Sequence, residues 1–450
     1  MKKLQIYLFA IGFTFSSWAQ TTDDASTGTT IQSDTQPKSL TLNGYARGSL
    51  LGMSTRYDFT STFAEISLQT EFNKNHAFLK SDIRVRQGYY FNEQKLELDV
   101  KELYGGYRSN ALDVLLGNQI VNWGRADGFN PTNNITPNDF FFLSADPDDQ
   151  KLSNFMLRLK YRITPAIELD LIGIPFYAES NYRYDLFDMG ANVNFTKGVL
   201  PDRKVENASF AGRLNFDYPA VGGSLSYFRG YDPYHGFDVK NVDWSTGVPI
   251  ISNTAAYFRK SVVGGDFAIP IGNFILRGEA AYTFTDNPDN EMFIPKSDMA
   301  YVVGIETTLG GFSLIAQYID KITPDFKAFT APVLSDPLNP LAQIQYANEM
   351  IDYSNRSFNR KIFYQQEKFN HAVSLFVSKS FGYDLWNVEL ASYYNITSDE
   401  LMLRPKISWK ITDALTGSLG GNFMSGPAET LFGYSSGIMN GAFVELKVSF

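Results

Sequence analysis

Asn154-Phe155-Met156-Leu157-Arg158-Leu159-Lys160-Tyr161-Arg162-Ile163, then Thr164-Pro165-Ala166, then Ile167-Glu168-Leu169-Asp170-Leu171, is the stretch on which the fold turns. Phe155, Leu157, Leu159, Tyr161 and Ile163 alternate with Arg158, Lys160 and Arg162, so one face is apolar and the other cationic. A period of two belongs to an extended strand. The Pro-centred triplet reads as a tight turn. Symmetric pairing about it sets Arg162 opposite Glu168 and Lys160 opposite Asp170.

Outward from this hairpin the pattern recurs. His76 to Gln87 places Lys80, Asp82, Arg84 and Arg86 on one face and Leu79, Ile83 and Val85 on the other. Leu96, Leu98 and Val100 oppose Glu97, Asp99 and Lys101. About eighteen such segments follow one another from Ser39, each near the ~9–11 residues of a tilted membrane-spanning strand. Their connections alternate in length. Asn73-Lys74-Asn75, Ser109-Asn110-Ala111, Pro219-Ala220-Val221, Leu309-Gly310-Gly311 and Gly382-Tyr383-Asp384 are tight, whereas 125–153, 177–206, 232–253, 286–297, 321–368 and 427–440 are long. Ser398-Asp399-Glu400 is short where a long loop is allowed. Alternating short turns and long loops are those of an outer-membrane barrel.

Composition agrees. Aromatics make up 15% of the chain, yet mean hydropathy is −0.19 and no later stretch approaches the ~20 apolar residues of a membrane helix. In lipid only helices and closed barrels pair their whole backbone, so the expected fold is all-β: a transmembrane antiparallel up-and-down β-barrel of about eighteen strands. There is no cysteine, which excludes disulfides and thiolate metal sites. The net charge of −9 argues against nucleic acid as a partner.

Lys2 and Lys3, the apolar run Leu4 to Phe15 and Ser17-Trp18-Ala19 read as a secretory signal over 1–19. Residues 20–38 read as a flexible lead-in, and 39–450 as the barrel. The segment Ala442-Phe443-Val444-Glu445-Leu446-Lys447-Val448-Ser449-Phe450 alternates and ends in an aromatic. It resembles the terminal signature by which the barrel-assembly machinery recognises its clients, with Phe450 as the signal. The implied location is the outer membrane of a Gram-negative bacterium, with lipid and lipopolysaccharide as surroundings.

With the apolar face outward, Arg84, Arg86, Arg158, Lys160 and Arg162 line the lumen with Asp99, Glu168 and Asp170. They serve either as cross-strand ion pairs bracing the wall or as a charged ladder guiding an anion or a sugar. The most distinctive segment is Gly117-Asn118-Gln119-Ile120-Val121-Asn122-Trp123-Gly124-Arg125-Ala126-Asp127-Gly128-Phe129-Asn130-Pro131-Thr132. It resembles the Gly-x-Gln, Trp-Gly and Asn-Pro motif of a group of large proteobacterial barrels of unknown function. It is similar, more loosely, to the alginate-export and substrate-specific porins. Asn118 stands where those relatives often carry Arg. The segment opens the third extracellular loop, which commonly folds into the lumen of porins. We therefore expect a constriction loop carrying Trp123, Gly124, Arg125, Asp127, Asn130, Pro131, Asp139 and Phe141. Asp127 and Asp139 are expected to face Arg84 and Arg86 across the pore. Phe140-Phe141-Phe142-Leu143 is read as packing inside the lumen. In loop 321–368, Asn339 and Pro340 start a short helix with Leu341, Ile344 and Ile351 on one side.

Catalysis is not expected. His371 and Ser374, like His76 and Ser81, are an odd number apart and face opposite sides of a strand. Asp232, His235 and Asp238 share a loop, where a metal is the less favoured reading. No cofactor is expected. The acidic run Asp146, Asp148 and Asp149 suits solvated loop charge or, less favoured, surface Ca2+. The function expected is a porin-like channel for small polar or charged solutes. A closed-lumen surface binding or assembly protein, or an exporter of hydrophobic compounds or lipids, remain as alternatives.

Overall fold

The structure, a computed structural model, describes residues 39–450 except 127 and 246. The signal and lead-in expected over 1–38 lie outside the described residues. In chain order the strands begin with β1 (Ser39–Gly52), β2 (Phe59–Lys74), β3 (Ala77–Tyr90), β4 (Glu93–Arg108), β5 (Leu112–Gln119), β6 (Asn154–Thr164) and β7 (Ile167–Ile174). Next come β8 (Val193–Thr196), β9 (Ser209–Tyr218), β10 (Val221–Tyr231), β11 (Gly236–Asp243), β12 (Ile250–Ala256), β13 (Arg259–Ile271) and β14 (Phe274–Thr285). The last are β15 (Asp298–Leu309), β16 (Phe312–Ile322), β17 (Phe369–Phe381), β18 (Trp386–Asn395), β19 (Glu400–Lys410), β20 (Leu415–Ser425) and β21 (Gly441–Ser449).

Strands β8, β11 and β12 form a separate three-stranded sheet in the loops. The other eighteen form one antiparallel sheet, each paired to its neighbour along the chain. Pairing of β21 with β1, from Tyr45↔Ser449 to Gly52↔Ala442, closes it into a barrel. At that seam Gly44 and Phe450 exchange two backbone hydrogen bonds of 2.9 Å, so the last residue completes the ladder. Closure leaves the wall without a free edge, the condition for a sheet in lipid.

The outer face is apolar. Leu98 (69% exposed), Leu225 (65%) and Leu419 (54%) would be anomalous in a water-soluble protein and are ordinary against acyl chains. No described helix is long and apolar enough to cross a membrane.

The short connections fall where expected. Gly310 and Gly311, with φ of 58° and 77°, make the β15–β16 turn in a region that side chains resist. Three details differ. First, β3 and β4 run on to a two-residue turn, Phe91-Asn92 (φ 51° and 63°), a second short connection on the long-loop side. Second, the sequence predicts a strand over Leu112 to Gly124, but β5 stops at Gln119 because the chain leaves the wall there. Third, the sequence predicts one strand over 254–269, whereas 254–256 belong to β12 and the wall strand starts at Arg259.

Loop 321–368 holds α1 (Pro340–Ile362), capped by Asn339 Oδ1 accepting from Leu341 N at 3.0 Å. It is longer than the short helix expected, and its docked face is Asn355, Phe358, Asn359 and Ile362. Leu341 and Ile344 are exposed. The last loop folds as α2 (Leu431–Met439), which sequence reading did not anticipate.

Candidate functional site

After Gln119 the chain turns into the lumen and returns to the wall at Asn154. Its first half, the root, crosses to the far wall. Trp123 Nε1 donates to Asp170 on β7 at 3.2 Å. Arg125 forks onto acidic wall residues: Nε to Asp266 at 2.9 Å and Nη2 to Asp217 at 2.6 Å. Glu279 on β14 accepts from Arg125 N (3.2 Å), Ala126 N (3.3 Å), Thr132 N (2.8 Å) and Thr132 Oγ1 (2.8 Å). One buried carboxylate thus collects donors that the irregular backbone leaves unpaired. Gly124 (φ 101°) permits that approach, since a Cβ there would stand 2.7 Å from Glu279 Oε1. The turn beyond is fixed by Asn133 N donating to Asn130 O at 3.1 Å and by Asn134 Nδ2 donating to Pro131 O at 3.1 Å. Ala126 and Phe129 reach Val302, Ile319 and Ala372 on β15, β16 and β17.

The second half is a hairpin closed by the Asn138↔Lys151 bridge, and its tip docks on a basic wall. Asp146 caps a turn over Pro147–Gln150. Asp149, 8% exposed, pairs with Arg47 at 2.7 Å and Arg84 at 2.8 Å. Lys101 Nζ donates to the carbonyls of Asp149 (2.8 Å) and Lys151 (2.5 Å). Arg404 and Lys406 reach the carbonyls of Ser144 (3.3 Å) and Ala145 (3.4 Å). Glu65 links Arg47 (2.6 Å) to Arg86 (2.5 Å) beneath the tip.

The loop is therefore held by an arginine on the acidic wall and by an aspartate on the basic wall. This corrects the expected transverse arrangement. Asp149 faces Arg84, and Asp139 does not. Asp139 accepts from Phe141 N and Phe142 N at 2.9 Å each and from Asn181 Nδ2 at 2.7 Å, while burial pushes its carboxyl up. Asp127 lies outside the described residues. Of the Phe triplet, Phe142 stacks on Arg86, with Cζ 4.1 Å from the ring centroid. Phe141 packs into the mouth cluster described below. Asp148 pairs with Lys151 at 2.8 Å and Asp149 with two arginines, so the acidic run does not present three free carboxylates to a cation.

The hairpin β6–β7 has the expected register, Lys160↔Asp170 and Arg162↔Glu168. The ion pairs run diagonally: Arg158 to Asp170 (2.6 Å) and Lys160 to Glu168 (3.3 Å). Arg162 prefers Asp113 (2.7 Å) over Glu168 (3.7 Å). Strand twist brings the i, j±2 neighbour within reach of a long side chain. Asp99 lies 3.6 Å from Arg86. The sequence missed Arg47 and Glu65, although their inward parity was readable. It also missed an apolar half of the lumen, where Val121, Trp123 and Ile135 pack on Met156, Ile172 and Phe228. The available signal was Ile172 and Ile174 continuing the Asp170 face as apolar residues.

Above the loop, one contiguous cluster joins segments from around the rim, including Phe91, Phe141, Tyr184, Phe237, Phe358 and Ile438. His235, 6% exposed, sits among Tyr182, Phe237 and Tyr257 with Glu179 4.0 Å away. Burial pushes its imidazole down to about 4 from 6.5. An opened loop binds that proton more readily, so the stability present above pH 6.5 is lost as pH falls towards 4. The difference amounts to roughly 3 kcal/mol at full effect. Protease nicking within 232–258 is expected to accelerate over that window, and His235→Phe to abolish the acceleration. Equal pH dependence in both proteins would refute it.

The other histidines have structural partners. His76 Nδ1 contacts Arg108 O at 2.9 Å, and His371 contacts Tyr318 Oη at 2.7 Å and Asp320 at 3.2 Å. Asp232 pairs with Lys260 (2.9 Å) and Asp238 with Lys240 (3.2 Å), so neither converges on His235. Among the described residues, no three His, Asp or Glu are arranged to hold a metal ion.

No protein-family model matches the chain, and no curated protein matches it in sequence. Solved structures do match in fold. The chain is similar to OccAB3 of Acinetobacter baumannii (8% identity, 91% of this chain and 98% of that one, TM-score 0.50). It is also similar to OccK5 (OpdH) of Pseudomonas aeruginosa (11%, 92% and 97%, 0.49). A third is the outer membrane channel DcaP of Acinetobacter baumannii (10%, 92% and 97%, 0.43). The fold is a porin-like transmembrane barrel.

Proposed function

We propose that the chain is an outer-membrane channel of the porin type for small polar or charged solutes, with passage set by loop 120–153 inside the lumen. The observation that carries this reading is the loop's double attachment, Arg125 on Asp217 and Asp266 and Asp149 on Arg47 and Arg84. An empty barrel of this strand number is wide, and a loop fixed across it leaves a restricted polar passage. Below the loop, at the short-turn end, inward Asn43, Glu71 and Asp217 are exposed to water. Taken as the periplasmic end, this is a hydrated vestibule.

The aromatic cluster over the mouth favours the second reading, a barrel closed to solutes that binds at its surface. Proteoliposome swelling separates the two. Arabinose is expected to enter faster than in protein-free vesicles. Folded barrel with no entry of arabinose, or with entry of a fatty acid alone, would overturn the channel reading.

Phe450 is proposed as the assembly signal, supported by its place in the β21–β1 seam. Its deletion is expected to lower the amount of assembled, heat-modifiable barrel with export unchanged. Normal assembly would remove that role.

A further inference from the structure

The lipid-facing rows of the wall are almost free of charge. Pairing and alternation put Lys74, Arg229, Arg259, Asp320, His371 and Lys379 on that face, and no other charged or imidazole side chain of the described wall strands. Lys74 and Lys379 lie at the short-turn end, where Lys379 Nζ donates to Gly310 O at 3.2 Å. Asp320 and His371 answer each other at 3.2 Å. Arg229 and Arg259 remain, together at the long-loop end of β10 and β13.

Arg229 follows Leu225 (65% exposed) and Tyr227 (45%) up the outer face of β10. In register, Phe210 of β9 and Ser261 of β13 flank it, and Phe284 of β14 stands one strand further. This is the level of the aromatic girdle, where the apolar band of a barrel meets headgroups. Arg259 is the diagonal neighbour, at the ~7–8 Å typical of that relation.

Arg229 is exposed and makes no hydrogen bond, ion pair or ring contact among the described residues. Arg259 donates to the carbonyls of Glu206 (2.7 Å) and Ala208 (3.4 Å), so its charge is not neutralised by them. Arg203 adds a cation beside them, 5.4 Å over the Phe176 ring. The acids of this arc are Asp202, held by Lys204 at 2.9 Å, and Glu206 and Asp286. Glu206 and Asp286 are exposed beyond the strand ends, and neither forms an ion pair with Arg229 or Arg259. On the lipid-facing rows themselves the charge is purely positive. The segment carrying Arg203 also exposes Val199 (92%) and Val205 (87%), side chains suited to the acyl–headgroup boundary.

We propose that this arc of β9, β10 and β13 binds a phosphate of the outer-leaflet glycolipid, lipopolysaccharide. A guanidinium facing lipid without an anion of its own is costly, and a lipid phosphate supplies that anion at the right height. Arg229 takes it as a forked pair, Ser261 Oγ adds a donor, and Arg259 adds charge. This surface lies outside the lumen, so the inference holds whether or not the barrel conducts.

The test is native mass spectrometry of the detergent-folded barrel titrated with lipid A and with dephosphorylated lipid A. Lipid A is expected to give a saturable adduct, and the dephosphorylated form to bind about tenfold more weakly. Arg229→Gln is expected to weaken lipid A about tenfold while keeping the heat-dependent gel shift. If that variant fails to fold, Ser261→Ala replaces it, with an expected loss of about threefold. Lys379→Gln, at the opposite end of the wall, is expected to change nothing. Equal binding of the two lipids, unchanged binding in the folded arc variant, or an equal loss in Lys379→Gln would each overturn the site. A lipid-free oligomer of the intact barrel that Arg229→Gln dissociates would overturn it too, by showing the arc to be an interface between copies.

Discussion

Asp149→Leu is expected to lower refolding stability by about 3–5 kcal/mol, because it leaves two buried guanidinium groups without their shared anion. Arg47 and Arg84 both point Nη1 at this carboxylate, and their side chains are 2% and 9% exposed. Glu65 and Asp82 still partner them, which places the loss towards the lower end. Ser144 Oγ also donates to Asp149, at 2.6 Å, so the tip loosens as well. Asp149→Asn, which can still accept hydrogen bonds, is expected to cost less than the leucine variant. Urea refolding in lipid vesicles measures both. Equal stability of wild type and Asp149→Leu would mean that the tip is not held by this pair.

Leu159→Arg is expected to cost about 2–4 kcal/mol, the value for a lipid-facing arginine near the bilayer midplane. Leu159 is the middle residue of β6, and by alternation it faces outward with Leu157 and Tyr161, which are 42% and 50% exposed. The neighbouring Arg158→Gln, on the inner face, removes a part-buried pair with Asp170. It is expected to cost about 1 kcal/mol, since glutamine still donates a hydrogen bond. The same refolding assay ranks the two. The opposite order would reverse the inside and outside of the wall.

Wall and turns were legible because both are local. Phe155 to Ile163 shows its lipid face by alternation alone, and a one-residue slip would put every charge into lipid. The pairing Lys160↔Asp170 followed from counting back from Thr164-Pro165-Ala166. The choice of partner did not follow. Arg162 bonds Asp113 on the preceding strand, a contact that depends on barrel tilt and not on hairpin register. Likewise, the motif around Trp123-Gly124-Arg125 marked the loop that enters the lumen, but not Glu279, which lies far along the chain and gathers the loop's backbone donors. The sequence sets Asp127 and Asp139 against Arg84 and Arg86, and no local pattern separates Asp139 from Asp149. In the fold Asp139 is consumed by its own turn, and Asp149 is the residue presented to the arginines.

The most direct measurement is single-channel conductance in planar bilayers, comparing the intact barrel with one in which residues 139–150 are replaced by Gly-Gly across the Asn138↔Lys151 bridge. This removes the tip and its contacts with Arg47, Arg84 and Lys101 while leaving the root on Glu279 and the wall strands intact. If the loop fills an aqueous channel, both proteins conduct and the shortened one does so with a several-fold larger step and a weaker size cut-off. Identical steps from two correctly folded barrels, or no conductance from either, would contradict a channel restricted by this loop.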